Sequence, residues 1–324
     1  MIEAIIIVGS GPGRSDPVAS NRLQLQNAAC GDGIATTEIL GQSVLQRMVA
    51  DLKKAKVDQI SVCADAGLSS DVDGVKADVT AWESGAERLR WLADRNSELA
   101  LIFELSAYVE LDFVDLLSFH QESGKAVTRV FHESGPVGLW AVSPAAFPGV
   151  SEMRSVLDDI GGVEYYTSGY INRLETPADL RRLVSDGLGG RCRCRPQGFE
   201  VKPGIWMAPG AMVEKAARVV APAFIGRGVN IGDECLITRG SNVESDSEVD
   251  YGTTIEASSI LSNTYVGIGL DLSHSIVQGS NLLNLQHEVV LRISDPAVMR
   301  QNKKSATEGQ SSLLNFGVGE AIPT

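Results

Sequence analysis

The residues best placed to hold an anion come early in the chain. A short apolar run, Ile5-Ile6-Ile7-Val8, leads into Gly9-Ser10-Gly11-Pro12-Gly13-Arg14. Glycine-rich turns after a first strand expose backbone N–H groups that cradle phosphate. Gly9, Ser10, Gly11 and Gly13 are therefore candidate phosphate contacts, and Arg14 is a candidate cation. The spacing is not Gly-x-Gly-x-x-Gly, and the Gly-Lys-Ser/Thr ending of a P-loop is missing. Pro12 removes one amide and fixes φ, which damages the cradle. His274 and His287 could serve acyl transfer, but no partner carboxylate is identifiable, and two surface histidines are the simpler reading. Cys192 and Cys194 lie among Arg191, Arg193 and Arg195. A zinc site needs a second Cys/His pair at metal spacing. None follows, so these are expected to be two thiols on a basic connecting loop.

The elements that would position such residues alternate. Leu45, Met48, Val49 and Leu52 mark one helical face. Gln59 to Cys63 reads as a strand, Trp82 to Arg95 as a helix and Leu99 to Phe103 as a strand. Asp112 to Ser123 is helical, and Ala126 to Val130 and Gly138 to Val142 are strands. Thr176-Pro177-Ala178-Asp179 opens a last helix, with threonine as N-cap and proline at the first helical position. Such alternation predicts a largely parallel sheet covered on both faces.

Beyond residue 200 the pattern changes to a period of six. Val213, Val219, Ile225, Ile231, Ile237, Val243, Val249 and Ile255 are evenly spaced β-branched residues. Two positions earlier runs a row of small or modest residues: Ala211, Ala217, Ala223, Val229, Cys235, Ser241, Ser247 and Thr253. Neither a helix nor an isolated strand has this period, whereas a three-sided β-coil takes one hexapeptide per side. Gly226 and Gly232 fall where turns are expected. The register slips by one after Ile255 and continues through Ile260, Val266 and Leu272, so the coil is expected over about 203 to 285.

Composition narrows the function. The 324 residues suggest two domains. A net charge of −13 excludes broad binding to nucleic acid or anionic membranes, because both need a positive field. The 33 glycines exceed the usual roughly 7% and suggest repeated tight turns. No apolar run is long enough for a membrane span, and the start lacks a basic region before its apolar run, so the chain reads as cytoplasmic.

Taken together, an α/β domain with a glycine-rich loop joined to a hexapeptide coil resembles the sugar-1-phosphate nucleotidyltransferases. This family includes mannose-1-phosphate guanylyltransferase-like proteins and other NDP-sugar pyrophosphorylases. Leu40-Gly41-Gln42-Ser43-Val44-Leu45 is similar to the family stretch opening its first helix. Asp112 to His120 is similar to the helix after its central strand, and Gly169-Tyr170 through Asp179 to its closing motif. The resemblance implies a Rossmann-like α/β nucleotidyltransferase domain with a mostly parallel sheet over 1–200. It also implies a left-handed parallel β-helix over 201–290 and a tail over 291–324.

The family's catalytic residues are not all present. Over the loop, Gly9, Arg14 and Pro17 match, while Ser10 and Pro12 replace glycines. The family lysine falls on Gln24 or Ile34, depending on the anchor, and no lysine precedes Lys53. The positions that hold Mg²⁺ in the family fall on Ser106 and Arg173. An arginine there repels a cation by about 4 kcal/mol per unit charge at 4 Å and an effective dielectric near 20. The expectation is a nucleotidyltransferase-like protein with a degenerate centre and a binding, regulatory or scaffold role. Its partners would be a nucleotide or nucleotide sugar, further copies of itself, or an active paralogue. The alternative is an active enzyme with a rearranged site of Arg14, Arg173, Glu104 and Glu110, for which Mg²⁺ would be needed. A hexapeptide acyltransferase is the second alternative.

Overall fold

The computed structural model describes residues 2–8, 35–64, 81–95, 97–147, 149–150 and 152–302. Among these, no helix is long and apolar enough to cross a membrane. The described residues form two compact units, one of residues 2–8 and 45–171, the other of 35–44 and 172–302. The division falls after residue 171.

The first unit is built on a six-stranded sheet. Its first strand, β1 (Ile2–Val8), second from one edge, is buried from Glu3 onward, as a strand covered on both faces requires. It runs parallel to β2 (Gln59–Ala64) on one side and β3 (Leu99–Glu104) on the other. With β4 (Val127–His132), β5 (Gly135–Val142) and β6 (Val163–Tyr166), the order is β2-β1-β3-β5-β4-β6. β5 is antiparallel to both neighbours, and β4 is parallel to β6. Every strand except β5 therefore points the same way. The exception arises because the two expected strands between 126 and 142 lengthen into a hairpin turning at Glu133-Ser134, with no crossover between them.

Helix α1 (Val44–Lys54) buries the expected apolar face, and α2 (Ala81–Asp94) buries Trp82, Ala86, Leu89 and Leu92. Leu89 and Leu92 of α2 join Ile5, Ile7, Ile102 and Trp140 in one core. The one carboxylate inside β1, Glu3, is fully buried and is held by the Arg88 guanidinium through Nε and Nη2, with Ser61 Oγ also donating. Buried charge is tolerated when paired and hydrogen-bonded in this way. Asp112 caps α3 (Phe113–Ser123), accepting from Val114 N and Asp115 N. α4 (Met153–Asp159) completes the unit.

The second unit contains α5 (Pro177–Leu188) and a three-sheeted parallel coil. Thr176 and Asp179 form a reciprocal capping box at the start of α5, with Pro177 at the first helical position. The helix belongs with the coil for a physical reason. Arg181 reaches into it and donates to Asn242 Oδ1, Ser259 Oγ and the carbonyls of Ser258 and Gly240.

The period of six appears directly in the strand register. Val213 pairs with Ile231 and Val219 with Ile237, eighteen residues on, or three sides. After the slip, Val243 pairs with Ile260, Val249 with Val266 and Ile255 with Leu272, seventeen residues on. The aliphatic row from Ile225 to Val266 is fully buried, and Leu272 nearly so. The row of small residues turns from Ala and Val to Ser and Thr at 241, and the hydroxyls then bond to the next coil. Ser247 Oγ donates to Leu261 O and accepts from Thr264 N, and Thr253 Oγ1 donates to Gly267 O and accepts from Leu270 N.

The corners differ from expectation. Gly226 and Gly232 do not supply the left-handed turn. That conformation falls two residues later, at Gly228 and Glu234, and recurs at Gly240, Asp246 and Gly252. Gly226 is needed for closeness, since a Cβ there would lie 2.8 Å from the Glu244 carbonyl carbon. The end differs too. The parallel coil continues in regular register to β7 (Ser275–Gln278), then reverses into β8 (Asn281–Asn284) and β9 (Val289–Arg292). Finally β10 (Met299–Gln301) pairs antiparallel with Thr264–Val266 and buries Met299. Residues 291–302 of the expected tail are thus part of the cap, and 303–324 lie outside the described residues.

A candidate ligand site at the carboxyl edge of the sheet

In sheets of this kind, ligands bind beyond the carboxyl ends of the parallel strands. Here those ends are Val8 of β1, Ala64 of β2 and Glu104 of β3. Gly9, Ser10, Gly11, Gly13 and Arg14 follow β1 directly and lie outside the described residues. The end of β3 is held in line with β1 by Leu105 N, which donates to Ile7 O at 2.9 Å.

Glu104 is half-buried, and Arg154 of α4 places a guanidinium nitrogen 3.2 Å from its carboxylate. The same guanidinium lies over the Trp82 ring, 5.4 Å from its centroid. Trp82 stands in the first turn of α2, edge-on to Trp140 with centroids 6.2 Å apart. Its Nε1 is buried and has no hydrogen-bond partner among the described residues. Gly138 of β5, at φ +75°, passes Glu104 closely, and a Cβ there would sit 3.3 Å from the Glu104 carbonyl oxygen. The group thus combines a carboxylate, a planar cation and an aromatic N–H donor.

The sequence-derived candidates divide between the two units. Ser106 follows Glu104 in the same tight turn, its amide donating to Glu104 O at 2.8 Å. Glu110 accepts from the Tyr108 hydroxyl at 2.8 Å, and its amide donates to Tyr170 O. Gly169 packs on the same backbone so tightly that a Cβ would lie 1.8 Å from Glu110 O. The start of the closing motif is therefore tied to the segment after β3. Arg173 belongs to the second unit, half-buried between the buried Asn172 and Leu174. There the Asn172 carboxamide donates to Asp179 O and accepts from Leu174 N, holding the entry to α5.

Other candidates have plainer settings. His274 and His287 are exposed, with no carboxylate bonded to either ring among the described residues. Cys192 and Cys194, read as thiols on a basic connecting loop, are buried. His120 bridges Thr128 Oγ1 and Ser143 Oγ, and burial lowers its pKa, keeping the ring neutral. Arg154 and Trp82 were not legible as site residues in the sequence. The only trace was a lone cation in the apolar helix Met153-Arg154-Ser155-Val156-Leu157.

Mg²⁺ takes oxygen ligands, commonly carboxylates. The two positions assigned to it by resemblance carry a hydroxyl, on Ser106, and a guanidinium, on Arg173. The carboxylate two residues before Ser106, Glu104, already faces Arg154. This donor set does not fit Mg²⁺ at those positions.

No protein-family model matches the chain, and no curated protein matches it. Solved structures similar to it include a Bacillus anthracis chain assigned as a glucose-1-phosphate thymidylyltransferase, in complex with a sucrose. That chain is 10% identical, with a TM-score of 0.38, over 56% of this chain and 93% of its own. HddC from Yersinia pseudotuberculosis is 14% identical, with a TM-score of 0.39, over 56% of this chain and 97% of its own. HddC complexed with GMP-PN is 12% identical, with a TM-score of 0.38 and the same coverage. Likeness at this level says nothing of substrate or activity.

Proposed function

We propose that this chain is a nucleotidyltransferase-like protein of nucleotide-sugar and polysaccharide metabolism. In this reading it binds a nucleotide or nucleotide sugar without transferring a nucleotidyl group. A left-handed hexapeptide coil serves it as a scaffold, in a binding or regulatory role. The observation that carries the reading is the Glu104–Arg154 pair. A guanidinium stands 3.2 Å from the carboxylate at the end of β3, two residues before Ser106, one of the positions where the resemblance places a dication. By the resemblance, the closing motif carries Arg173 at a position where the family has a carboxylate.

A guanidinium suits phosphate as a bidentate partner, and the Trp82 face supports its charge. Binding is thus retained in this reading, while the charge neutralisation that drives phosphoryl and nucleotidyl transfer is lost. The test incubates the protein with each nucleoside triphosphate, a panel of sugar 1-phosphates and Mg²⁺, following pyrophosphate and Tm. The expected result is no pyrophosphate and a rise in Tm of several degrees at saturating nucleotide. Arg154→Ala removes that rise. Pyrophosphate release by the wild-type protein overturns the proposal in favour of an active transferase.

A further inference from the structure

We infer that Ser143 is a nucleophile toward short carboxylic esters, with His120 as its general base and Thr128 positioning the histidine. The three side chains come from separate elements of the first unit. His120 stands in the last turn of α3, Thr128 lies in β4, and Ser143 follows β5 directly. Thr128 lies opposite Ala141, two residues before Ser143, so the two hydroxyls share one face of the sheet. The His120 ring reaches between them, with Nδ1 2.8 Å from Thr128 Oγ1 and Nε2 3.2 Å from Ser143 Oγ. A hydroxyl, an imidazole and a group that orients the imidazole, in that order, are the parts of an activated serine.

Each residue is set for its part. Ser143 precedes a single-turn 3₁₀ helix (Pro144–Ala146), where a serine hydroxyl ordinarily accepts from a helix amide. This hydroxyl makes no such bond and is directed to His120 instead. His120 and Thr128 are 2% and 0% exposed, whereas Ser143 is half-buried, so a reagent meets the serine first. Burial lowers the His120 pKa and keeps the ring neutral, with one N–H and one bare nitrogen. With the N–H at Nδ1 donated to Thr128, Nε2 accepts from the Ser143 hydroxyl.

The reaction balances within these groups, the ester and water. Ser143 Oγ attacks the ester carbonyl carbon, and its proton passes to His120 Nε2. The bond to the leaving alcohol breaks, and the alcohol carries that proton away. Water then attacks the acyl-serine through the same base and releases the acid. An activated ester, whose leaving group needs no proton, acylates faster than water clears the serine, so the acyl-serine accumulates. The backbone beside Ser143 is small and uncharged. Its amide donates to Ala126 O at 2.9 Å, and Ala145 is exposed, a setting for a short acyl group. Val142 pairs with Ala100 near the start of β3, at the opposite edge of the sheet from Glu104. This inference therefore does not depend on the ligand reading above.

The test uses two probes on the full chain. A fluorophosphonate, which labels activated serines with loss of fluoride, is followed by peptide mass, and p-nitrophenyl acetate is followed by release of p-nitrophenolate. The Ser143 peptide is expected to label on the order of a hundredfold faster than any other serine peptide. The acetate is expected to give a stoichiometric burst followed by slow turnover. Ser143→Ala abolishes that label and the burst. His120→Gln lowers the labelling rate on the order of a hundredfold, the share a general base supplies. Thr128→Val lowers it about tenfold, whereas Thr128→Ser keeps the wild-type rate although serine fills the buried site less well than valine. Circular dichroism checks the fold of each variant, and if His120→Gln does not fold, the Thr128 pair makes the same comparison. Labelling of Ser143 no faster than of other serines overturns the inference. So does labelling that His120→Gln, or Thr128→Val, leaves unchanged in a folded chain. A burst that survives Ser143→Ala also overturns it, since the nucleophile then lies elsewhere.

Discussion

Replacing Glu244 by glutamine changes one atom in the coil and should release a turn some two hundred residues away in sequence. Residues 38–43 form a two-residue hairpin in which Glu38 pairs with Ser43 and Ile39 with Gln42. Its turn residues, Leu40 and Gly41, both have positive φ, +55° and +84°. That conformation suits Asn-Gly and is strained for leucine. The fully buried Glu244 carboxylate holds it, accepting from Leu40 N at 2.7 Å and Asn242 Nδ2 at 2.6 Å on one oxygen, and from Gly41 N at 2.9 Å on the other. Glutamine would keep one acceptor and set an NH₂ against a buried N–H. Losing a charge-assisted bond and leaving buried donors unsatisfied costs about 2–4 kcal/mol.

A second signature is pH dependence. Burial, and then the charge of Glu38, push the Glu244 carboxyl up from 4.5 to about 7, against the pull of its three donors. The folded chain holds that proton more tightly than the unfolded chain. Its contribution to stability is complete below about pH 4.5 and is lost as pH rises through 7. The shift corresponds to roughly 3 kcal/mol at about 1.4 kcal/mol per pH unit. Hydrogen exchange on the peptide spanning 38–43, with urea melts from pH 5 to pH 8, reads both effects. In Glu244→Gln, protection of Leu40 and Gly41 should fall about 30- to 1,000-fold, and the downward slope of stability with pH should flatten. Glu38→Gln should move the slope to lower pH. Unchanged protection and an unchanged slope in Glu244→Gln would refute the reasoning.

Three further outcomes follow from contacts elsewhere. Gly169→Ala forces a methyl group into the Glu110 carbonyl, where 1.8 Å is available. It should cost about 3 kcal/mol and show as a lowered Tm, whereas an unchanged Tm would mean that the segments separate freely. Thr176→Ala removes the cap of α5, which accepts from Asp179 N. It should lower the stability read from urea melts by about 1 kcal/mol, and no change would deny the cap any role. Desolvation raises the Cys63 thiol from 9.0 to about 12 despite the nearby Arg88 charge. Its thiolate fraction at pH 8 should be about a thousandfold below that of the unfolded chain, so alkylation of its peptide in native protein should be slow. Rapid native labelling would contradict that.

Local periodicity made much of the architecture legible before any coordinates. Ile225, Ile231 and Ile237 carry the coil because each must fill a three-sided core at a fixed interval. The slip after Ile255 is the same one-residue shortening seen when Val243 pairs with Ile260. Thr176, Pro177 and Asp179 form their cap from adjacent residues alone. Three-dimensional contact decided the rest. Gly226 looked like a turn, yet its role depends on the Glu244 backbone one coil away. Strand β5 runs against its neighbours because a two-residue turn, not a crossover, joins it to β4. Arg154 gains its role only because α4 brings it to Glu104, fifty residues earlier in the chain. Glu244 gains its role only because the fold closes it over Leu40 and Gly41. Spacing along a chain reports what a residue does for its own element, whereas charge pairing and close approach depend on which distant elements meet, and only folding settles that.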